Sequence, residues 1–551
     1  MNELHKSRTF TWTLFVAFAI TFLWLLDART LVPPDEGRYA EMAREMFASG
    51  DWITTRLNGI KYFEKPPLQT WMNALSFTVF GLGDWQARLW TGLCGLLGVV
   101  MTGYAGTRVF GQRAGFYSAL VLGSCFYWVL SGQVDSLDMG LSGMTTLALC
   151  ALLVAQRDEA TKREQCWWML LCWAAMALAV LAKGLIGLVL PGAVLVIYTI
   201  AARDWKIWTR LHLAKGLLLF FAIAAPWFVL VGLKNPEQPH FFFIHEHFER
   251  FLLKTHHREG AWYYFVGPLM LGMIPWLGLL PQSLLASFKR ERSTFQPRMM
   301  LLVWAVFIFF FFSYSSSKLP GYILPIFPAL ALLTGAHIEV ASRGSRTLAG
   351  ALVAGVGVAL VILGFEVLKV PHRVAETAML EAFQPWIIAA GFCALVGGAF
   401  GVLHARHLRR DLMVLALALG GFCATELVAT GFESYGLQRS GKALVPKIVA
   451  ELKPDTKIYS VGTYEQSMTF YLKRTVILVD YWDEFTFGLE QQPELSIPTV
   501  DAFIGQWSAD ATRGIDDVAI VSPEILLELK TKGVPMRVVA EDARRTVIAN
   551  Q

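Results

Sequence analysis

Residues 61–80 read KYFEKPPLQTWMNALSFTVF, and the apolar second half of this stretch decides how the chain crosses a membrane. Leu68–Phe80 has about 13 residues, whereas a helix needs roughly 20 to span the hydrocarbon core. It also follows Pro66 and Pro67, which favour the start of a new helix. We therefore predict that Leu68–Phe80 forms a helix that lies on the outer membrane surface and does not cross.

The composition of the whole chain is that of a protein with many membrane spans. Of its 551 residues, 55% are hydrophobic and only 17% are charged, and the mean hydropathy is +0.47. A soluble protein carries about a quarter charged residues. The net charge of +5 gives no sign of nucleic-acid binding. The first apolar run, Thr9–Leu26, lacks a small-residue cleavage site after it, so we predict a retained span and not a signal peptide.

The positions of Lys and Arg predict the orientation of the spans, because cytoplasmic loops are rich in both residues. If Leu68–Phe80 is not counted as a span, about 13 spans place all the basic clusters on the cytoplasmic side. The N-terminus then lies inside and the C-terminus outside. The predicted spans are residues 9–26, 89–106, 115–132, 139–155, 167–183, 185–202, 216–232, 263–287, 299–313, 321–336, 349–367, 385–404 and 412–430.

The predicted topology separates a membrane domain, residues 1–431, from an outer C-terminal domain, residues 432–551. Two long loops of the membrane domain, residues 27–87 and 232–262, also face outward. In the tail, β-branched segments such as KIYSVG and TVILVD alternate with helical segments, which indicates a small α/β domain. Ionisable residues gather in the outer loops, so we expect the active site on that face. The seven cysteines lie in or beside apolar runs and indicate neither disulfides nor structural zinc.

The first outer loop carries two candidate motifs. PPDEGRYAEMARE places Asp35 and Glu36 at the start of a helix, where acids either complement the helix dipole or serve as catalytic carboxylates. In FEKPP, Lys65 either reaches to lipid headgroups or supplies a point charge to a phosphate. Glu64 is a surface acid, a ligand for a divalent cation or a partner for Lys65.

Further candidates lie at the outer ends of later spans. Asp138 in GQVDSLDMG lies at the entrance to a span, where an acid is costly unless it is paired or used; it either caps the helix or has a functional role. Lys183 in LAKGLIG is a similar case. FIHEHFERF carries His245 and Arg250. Either His245 binds a divalent ion and Arg250 a phosphate, or both belong to a solvated helix. Lys318 in SSSKLPGY completes an S-x-x-K pattern, but no SDN or KTG motif accompanies it, so a penicillin-binding enzyme is not indicated.

The motifs DEGRYAEMARE, FEKPPL, DSLDMG, AKGLIGLVLPG and SKLPGYILPIFPALALL, in this order, resemble those of the lipid A aminoarabinose transferases. This family belongs to the protein O-mannosyltransferase-like branch of the membrane GT-C glycosyltransferases. The resemblance runs through the membrane part, and its most specific elements are FEKPP and SKLPGY. It implies a GT-C fold of about 13 spans with periplasmic juxtamembrane helices.

The resemblance also implies an activity. Such enzymes transfer 4-amino-4-deoxy-L-arabinose from undecaprenyl phosphate to lipid A phosphates at the periplasmic face of the Gram-negative inner membrane, which gives resistance to polymyxin. It implies catalytic roles for Asp35, Glu36 and Asp138; substrate or carrier-phosphate binding by Lys65, Arg250, Tyr322, Tyr62, Lys183 and Lys318; and a metal ion, zinc, on Glu64 and His245, with His247 as an alternative ligand. We expect a monomer in contact with membrane lipids.

Two other functions remain open from the sequence. A related transferase could use another sugar or a hydroxyl acceptor; a hydroxyl must lose a proton, and Asp35 would then act as a general base. An anionic lipid A phosphate needs no base, so Asp35 would orient the acceptor or the amino sugar instead. A transporter would place ionisable groups near the bilayer midplane, whereas here they gather at the ends of spans.

Overall fold

The computed structural model describes residues 3–244, 260–370, 374–407 and 409–550, and the chain divides into two compact units. The first unit consists of Met1–Leu26, Arg88–His372 and Leu380–Gly431; the second consists of Asp27–Ala87, Arg373–Met379 and Phe432–Gln551. The loop of residues 27–87, which the sequence analysis attached to the membrane domain, therefore shares a compact unit with the C-terminal residues.

Among the described residues, ten helices are long and apolar enough to cross a membrane. Their α-helical parts are Arg8–Trp24, Asp84–Phe110, Leu137–Ala155, Lys162–Lys183, Leu213–Lys234, Pro297–Tyr314, Phe327–Ile338, Arg343–Glu366, Val374–Arg406 and Arg410–Gly431. The 3₁₀ helix Pro320–Ile326 extends Phe327–Ile338 at its start.

The remaining predicted spans are also helical, but each departs from a single long helix. Gln112–Leu122 and Phe126–Gly132 form a pair that is bent by 64°, and Ile186–Ala202 is shorter, with 17 residues. Residues 263–287 contain the two seven-residue helices Val266–Gly272 and Leu280–Ala286. Breaks of this kind are tolerated at membrane depth only where the backbone is buried in protein or lines a water-filled cavity.

Glycines allow two of the long helices to pack closely within the first unit. A Cβ added at Gly350 or Gly357 would overlap the backbone of helix Val374–Arg406, and one added at Gly391 or Gly398 would overlap the backbone of helix Arg343–Glu366. Such small-residue contacts are how helices associate in lipid, where the hydrophobic effect does not drive them together. The contact fixes the position of the first turns of helix Arg343–Glu366.

The C-terminal part of the second unit is an α/β domain, as predicted. Its strands are β3 (Ile458–Val461), β4 (Ile477–Val479), β5 (Ser496–Ile497), β6 (Val518–Val521), β7 (Arg537–Glu541) and β8 (Thr546–Ala549). They form one sheet in the order β5-β4-β3-β6-β8-β7, in which β3, β4, β5 and β6 are parallel and β8 pairs antiparallel with β6 and β7. Its helices are Glu433–Ser440, Val445–Glu451, Gln466–Leu472, Thr486–Gln491, Val500–Thr512 and Pro523–Thr531.

The first loop contributes two helices to the second unit, Asp35–Ser49 and Leu68–Phe80. Helix Leu68–Phe80 has the predicted bounds, and it buries Ala74 and Phe77 in a core that also contains Phe470 of the C-terminal domain. Its opposite face exposes Leu75, Val79 and Phe80, which are all apolar. An exposed apolar face suits a helix that lies on a membrane, and this location stays a prediction.

A short hairpin of β1 (Arg56–Leu57) and β2 (Ile60–Lys61) leads directly into FEKPP. Its turn residues, Asn58 and Gly59, have φ values of 56° and 76°, which suit a type I′ turn. The Asn58 side chain is buried, donating to the carbonyl of Val476 at 2.8 Å and accepting from its N–H at 2.7 Å. The Gly59 N–H donates to Glu45 at 2.8 Å. The bonds to Val476 and to Glu45 therefore hold the hairpin turn in place.

Glu45 should make the stability of the protein depend on pH. Burial, with the neighbouring Glu41, raises the pKa of Glu45 from its ordinary 4.5 to about 8. The folded state therefore holds a proton that the unfolded chain releases, and this stabilisation is complete below pH 4.5 and lost as the pH rises through about 8. We expect the Tm of the full-length protein in detergent to fall over this range, and Glu45→Gln to remove much of that fall.

The control is Glu490→Gln, which changes an exposed acid of the same unit and should leave the wild-type pH dependence intact. An equal fall in the Tm of Glu45→Gln and wild type would show that another group is responsible.

Candidate active site

Three of the predicted site residues meet in the first unit: Asp138, Lys183 and Tyr322. Asp138 lies in the first turn of helix Leu137–Ala155, and Lys183 is the last residue of helix Lys162–Lys183. The Lys183 ammonium donates to a carboxylate oxygen of Asp138 and lies 4.6 Å from the centroid of the Tyr322 ring. The side chains of Asp138 and Lys183 stay partly exposed, at 21% and 16%. The result is a partly exposed cation held between a carboxylate and an aromatic face.

Gly321 is the residue that allows this arrangement. A Cβ at position 321 would overlap the carboxylate of Asp138. The chain of SKLPGY therefore passes directly against the acid, and only glycine leaves room for the Asp138–Lys183 pair. This requirement explains the glycine that precedes Tyr322 in physical terms.

Lys318 is placed differently from the other predicted cations. It is buried, with 8% of its surface exposed, and its ammonium donates to the carbonyl of Ser315 at 2.6 Å. Ser315 follows the last residue of helix Pro297–Tyr314, so Lys318 complements the negative end of that helix. Its predicted role in phosphate binding stays a prediction.

Asp35 and Glu36 occupy different environments in the second unit. The side chain of Asp35 is 54% exposed and accepts a hydrogen bond from Arg38 at 2.9 Å. Glu36 is 2% exposed; its carboxylate accepts from the Val32 N–H at 2.9 Å and lies 4.0 Å from the guanidinium of Arg29. The Asp35 carboxylate is thus open to solvent, whereas Glu36 fixes the chain that leads into the helix. The predicted catalytic role of Glu36 is untested, and its burial favours a positioning role.

Glu64 and Lys65 form the pair that the sequence singled out. The Lys65 ammonium donates to the Glu64 carbonyl at 2.8 Å and lies 3.7 Å from the Glu64 carboxylate. Their side chains are 24% and 20% exposed, respectively. Tyr62 is buried, and burial together with the nearby Glu64 raises the pKa of its hydroxyl well above the ordinary value. Tyr62 is therefore a neutral residue beside this charged pair.

The C-terminal domain supplies an acid to this group that the sequence analysis missed. Arg38 donates to Glu484 at 2.6 Å, and Gln466 donates to the other oxygen of Glu484 at 2.7 Å. Burial raises the pKa of Glu484, and the charge of Glu64 adds to this rise, while Arg38 opposes it. Arg38 therefore bridges Asp35 of the first loop and Glu484 of the tail. In the sequence, this contact was indicated by no more than the arginine within DEGR and the acidic pair in YWDEF.

The same C-terminal segment holds the chain that precedes FEKPP. The N–H of Lys61 donates to the side chain of Gln492 at 3.0 Å, and the rings of Phe63 and Phe487 lie 6.3 Å apart in an edge contact. A Cβ at Gly488 would overlap the carbonyl oxygen of Lys61. Residues 484–492, which we call the tail clamp, thus hold both Arg38 and the chain segment that leads to Glu64 and Lys65.

Two predicted residues, His245 and Arg250, lie outside the described residues, as does the alternative ligand His247. Within the residues that the structure does describe, no three His, Cys, Asp or Glu side chains are grouped closely enough to hold a metal ion. Glu64 is a suitable oxygen donor but does not by itself make a metal site. The predicted metal thus stays a prediction that depends on the region of His245.

Two protein families match this chain. Residues 444–550 match the aminoarabinose transferase C-terminal domain, and residues 64–230 match the dolichyl-phosphate-mannose-protein mannosyltransferases. Among curated relatives, the undecaprenyl phosphate-α-4-amino-4-deoxy-L-arabinose arabinosyl transferase of Erwinia tasmaniensis is 31% identical over 69% of this chain and 71% of its own length. The protein of the same name from Edwardsiella ictaluri is 29% identical over 87% of each chain.

Solved structures agree with these relationships. The crystal structure of ArnT from Cupriavidus metallidurans bound to undecaprenyl phosphate has a TM-score of 0.92 and 39% identity, with 99% of each chain covered. An oligosaccharyltransferase from Archaeoglobus fulgidus has a TM-score of 0.51 and 13% identity, and the match covers 85% of this chain and 64% of that one. The second likeness concerns the fold alone.

The Gly321 contact can be tested by adding one methyl group. We expect Gly321→Ala to push the Asp138 carboxylate away from Lys183 and to lower kcat/KM about 10- to 100-fold, while the protein stays folded. The measurement is the steady-state turnover of the purified protein beside its size-exclusion profile. Gly355→Ala is the matched control, because a Cβ there meets open space. Wild-type activity in Gly321→Ala would contradict a role for the Asp138–Lys183 geometry.

Proposed function

Because the chain belongs to the undecaprenyl phosphate-aminoarabinose arabinosyl transferases, we propose that it transfers 4-amino-4-deoxy-L-arabinose from undecaprenyl phosphate to phosphate groups of lipid A. The chain is a multi-pass glycosyltransferase of the GT-C fold, as the sequence motifs predicted. The observation that carries the proposed donor is the 39% identity, over 99% of the chain, with an ArnT that was crystallised with undecaprenyl phosphate.

The side chains present suit a reaction that displaces a phosphate. In the transfer, an oxygen of the acceptor phosphate forms a bond to the anomeric carbon, and the bond from that carbon to the carrier phosphate oxygen breaks. The leaving phosphate is a weak base, so the reaction needs cations that stabilise its growing charge and no strong acid. Lys65 and Lys183 are partly exposed cations, and both were predicted from the sequence to contact the carrier phosphate.

Asp35 acts in this proposal as an orienting group. Its carboxylate is already paired with Arg38, yet it remains more than half exposed. A phosphate acceptor is anionic at neutral pH and attacks without losing a proton, so a general base is not required. The exposed carboxylate matches the ammonium group of an amino sugar. Asp138, which is paired with Lys183, keeps that lysine in place rather than accepting a proton.

We further propose that the reaction takes place on the periplasmic face of the inner membrane and that the enzyme is a monomer. The transfer lowers the negative charge of lipid A. The placement of the basic clusters supports this orientation. We also retain the divalent metal, zinc by resemblance, as a proposal with Glu64 and His245 as its ligands. When bound, such an ion would supply positive charge for the carrier phosphate.

The direct test is mass spectrometry of lipid A from a knockout strain that carries wild-type protein, Asp35→Asn or the exposed control Glu494→Gln. We expect the mass added by aminoarabinose to disappear in the knockout, to return with wild type and the control, and to fall at least about tenfold with Asp35→Asn. Lipid A that is unchanged in the knockout would refute the proposed acceptor. A hydroxyl acceptor would then be favoured, in line with the mannosyltransferase match of residues 64–230.

A further inference from the structure

Arg346 is a buried arginine for which the described protein offers no partner. It lies in the first turn of helix Arg343–Glu366, one turn before the close contact at Gly350, and is 3% exposed. Two of its guanidinium nitrogens, Nε and Nη1, are buried without a hydrogen-bond partner. A buried guanidinium left in this state is destabilising unless an anion binds to it.

The surroundings of Arg346 add positive charge. Arg343 and Arg410 are both close enough to repel its guanidinium, and the Nε of Arg410 is also buried without a partner. Arg343 and Arg410 are each the first residue of a long helix. Helix N-termini carry partial positive charge, and arginine is unfavourable there. Two helix starts and three arginines thus form a positive cluster, which we call the Arg346 cluster.

The acidic groups described at this end are already engaged. Asp411 is 1% exposed; one of its oxygens accepts from Tyr117 at 2.5 Å, and the other lies 3.0 Å from Nδ1 of His5. Glu339 pairs with Arg113 at 2.7 Å. Asp411 reduces the charge of the cluster, but it does not supply the missing hydrogen bonds of Arg346.

We propose that the Arg346 cluster is a binding site for a phosphate group, and that the phosphate belongs to the headgroup of an anionic phospholipid. A guanidinium presents parallel N–H donors that match phosphate oxygens, and helix N-termini bind phosphate through their backbone N–H groups. None of the three arginines is among the predicted transferase site residues.

The position of the cluster favours a lipid as the source of the phosphate. Both helices that begin here are apolar and long enough to cross a membrane, so their first turns lie near headgroup level. The basic clusters of residues 343–346 and 406–410 were predicted to face the cytoplasm, where anionic lipids bind basic pockets between helices. A neutral zwitterionic lipid would bring a choline group toward three arginines and is disfavoured.

The experiment uses full-length protein that has been stripped of lipid in a neutral detergent. Native mass spectrometry and Tm are measured with added phosphatidylglycerol, phosphatidylcholine or inorganic phosphate. We expect wild type to retain phosphatidylglycerol and gain several degrees in Tm, phosphatidylcholine to do neither, and Arg346→Gln to weaken phosphatidylglycerol binding at least about tenfold. Arg406→Gln, which removes an exposed arginine at the same end, should bind like wild type.

Arg410→Gln is the second variant and should also weaken binding, so the test survives a folding defect in Arg346→Gln. A Tm rise with inorganic phosphate but not with phosphatidylglycerol would support the phosphate site and overturn the lipid source. Equal binding of the two lipids by wild type, or the same loss in Arg406→Gln as in both other variants, would overturn the site itself.

Discussion

The ion pair between Arg38 and Glu484 is the interaction on which the second unit depends. It joins residues that are more than 400 positions apart in sequence, and the tail clamp then fixes the chain before FEKPP through Phe487, Gly488 and Gln492. A loop of about 60 residues with two helices and one short hairpin would not hold an exposed carboxylate and lysine at fixed positions by itself. Residues 484–492 of the C-terminal domain hold this chain in place.

Charge pairing organises the described site groups in both units. Asp138 and Lys183 pair at the ends of two helices that cross the membrane, and Asp35 pairs with Arg38 at the start of a third helix. An isolated charge at the end of a span, such as Asp138 or Lys183, would be costly, whereas a partly exposed ion pair keeps both charges. Displacement of a phosphate leaving group requires such prepositioned charges more than it requires a proton acceptor.

The sequence predicted the broad architecture well because its signals are local. The short run Leu68–Phe80 and the strands in KIYSVG and TVILVD appear in the structure as helix and strands at those positions. The grouping of Asp138 with Lys183 and Tyr322 was within reach of the motifs alone. The role of Glu484 was not, because its partner lies in a different segment and no periodicity links YWDEF to DEGR. The burial of Glu36 also required coordinates, since an acid at a helix start is equally suited to solvent.

A double-mutant cycle on transferase activity tests the tail clamp most directly. Arg38→Gln, Glu484→Gln and the double variant are compared with wild type in kcat/KM, with the folding of each followed by Tm. We predict that Arg38→Gln is severe because it leaves Glu484 buried and unpaired, and that the second substitution recovers part of the loss, with a coupling energy of at least about 1 kcal/mol. If the effects of the two single substitutions add to that of the double variant within about 0.5 kcal/mol, Arg38 and Glu484 are not coupled and the tail clamp is contradicted.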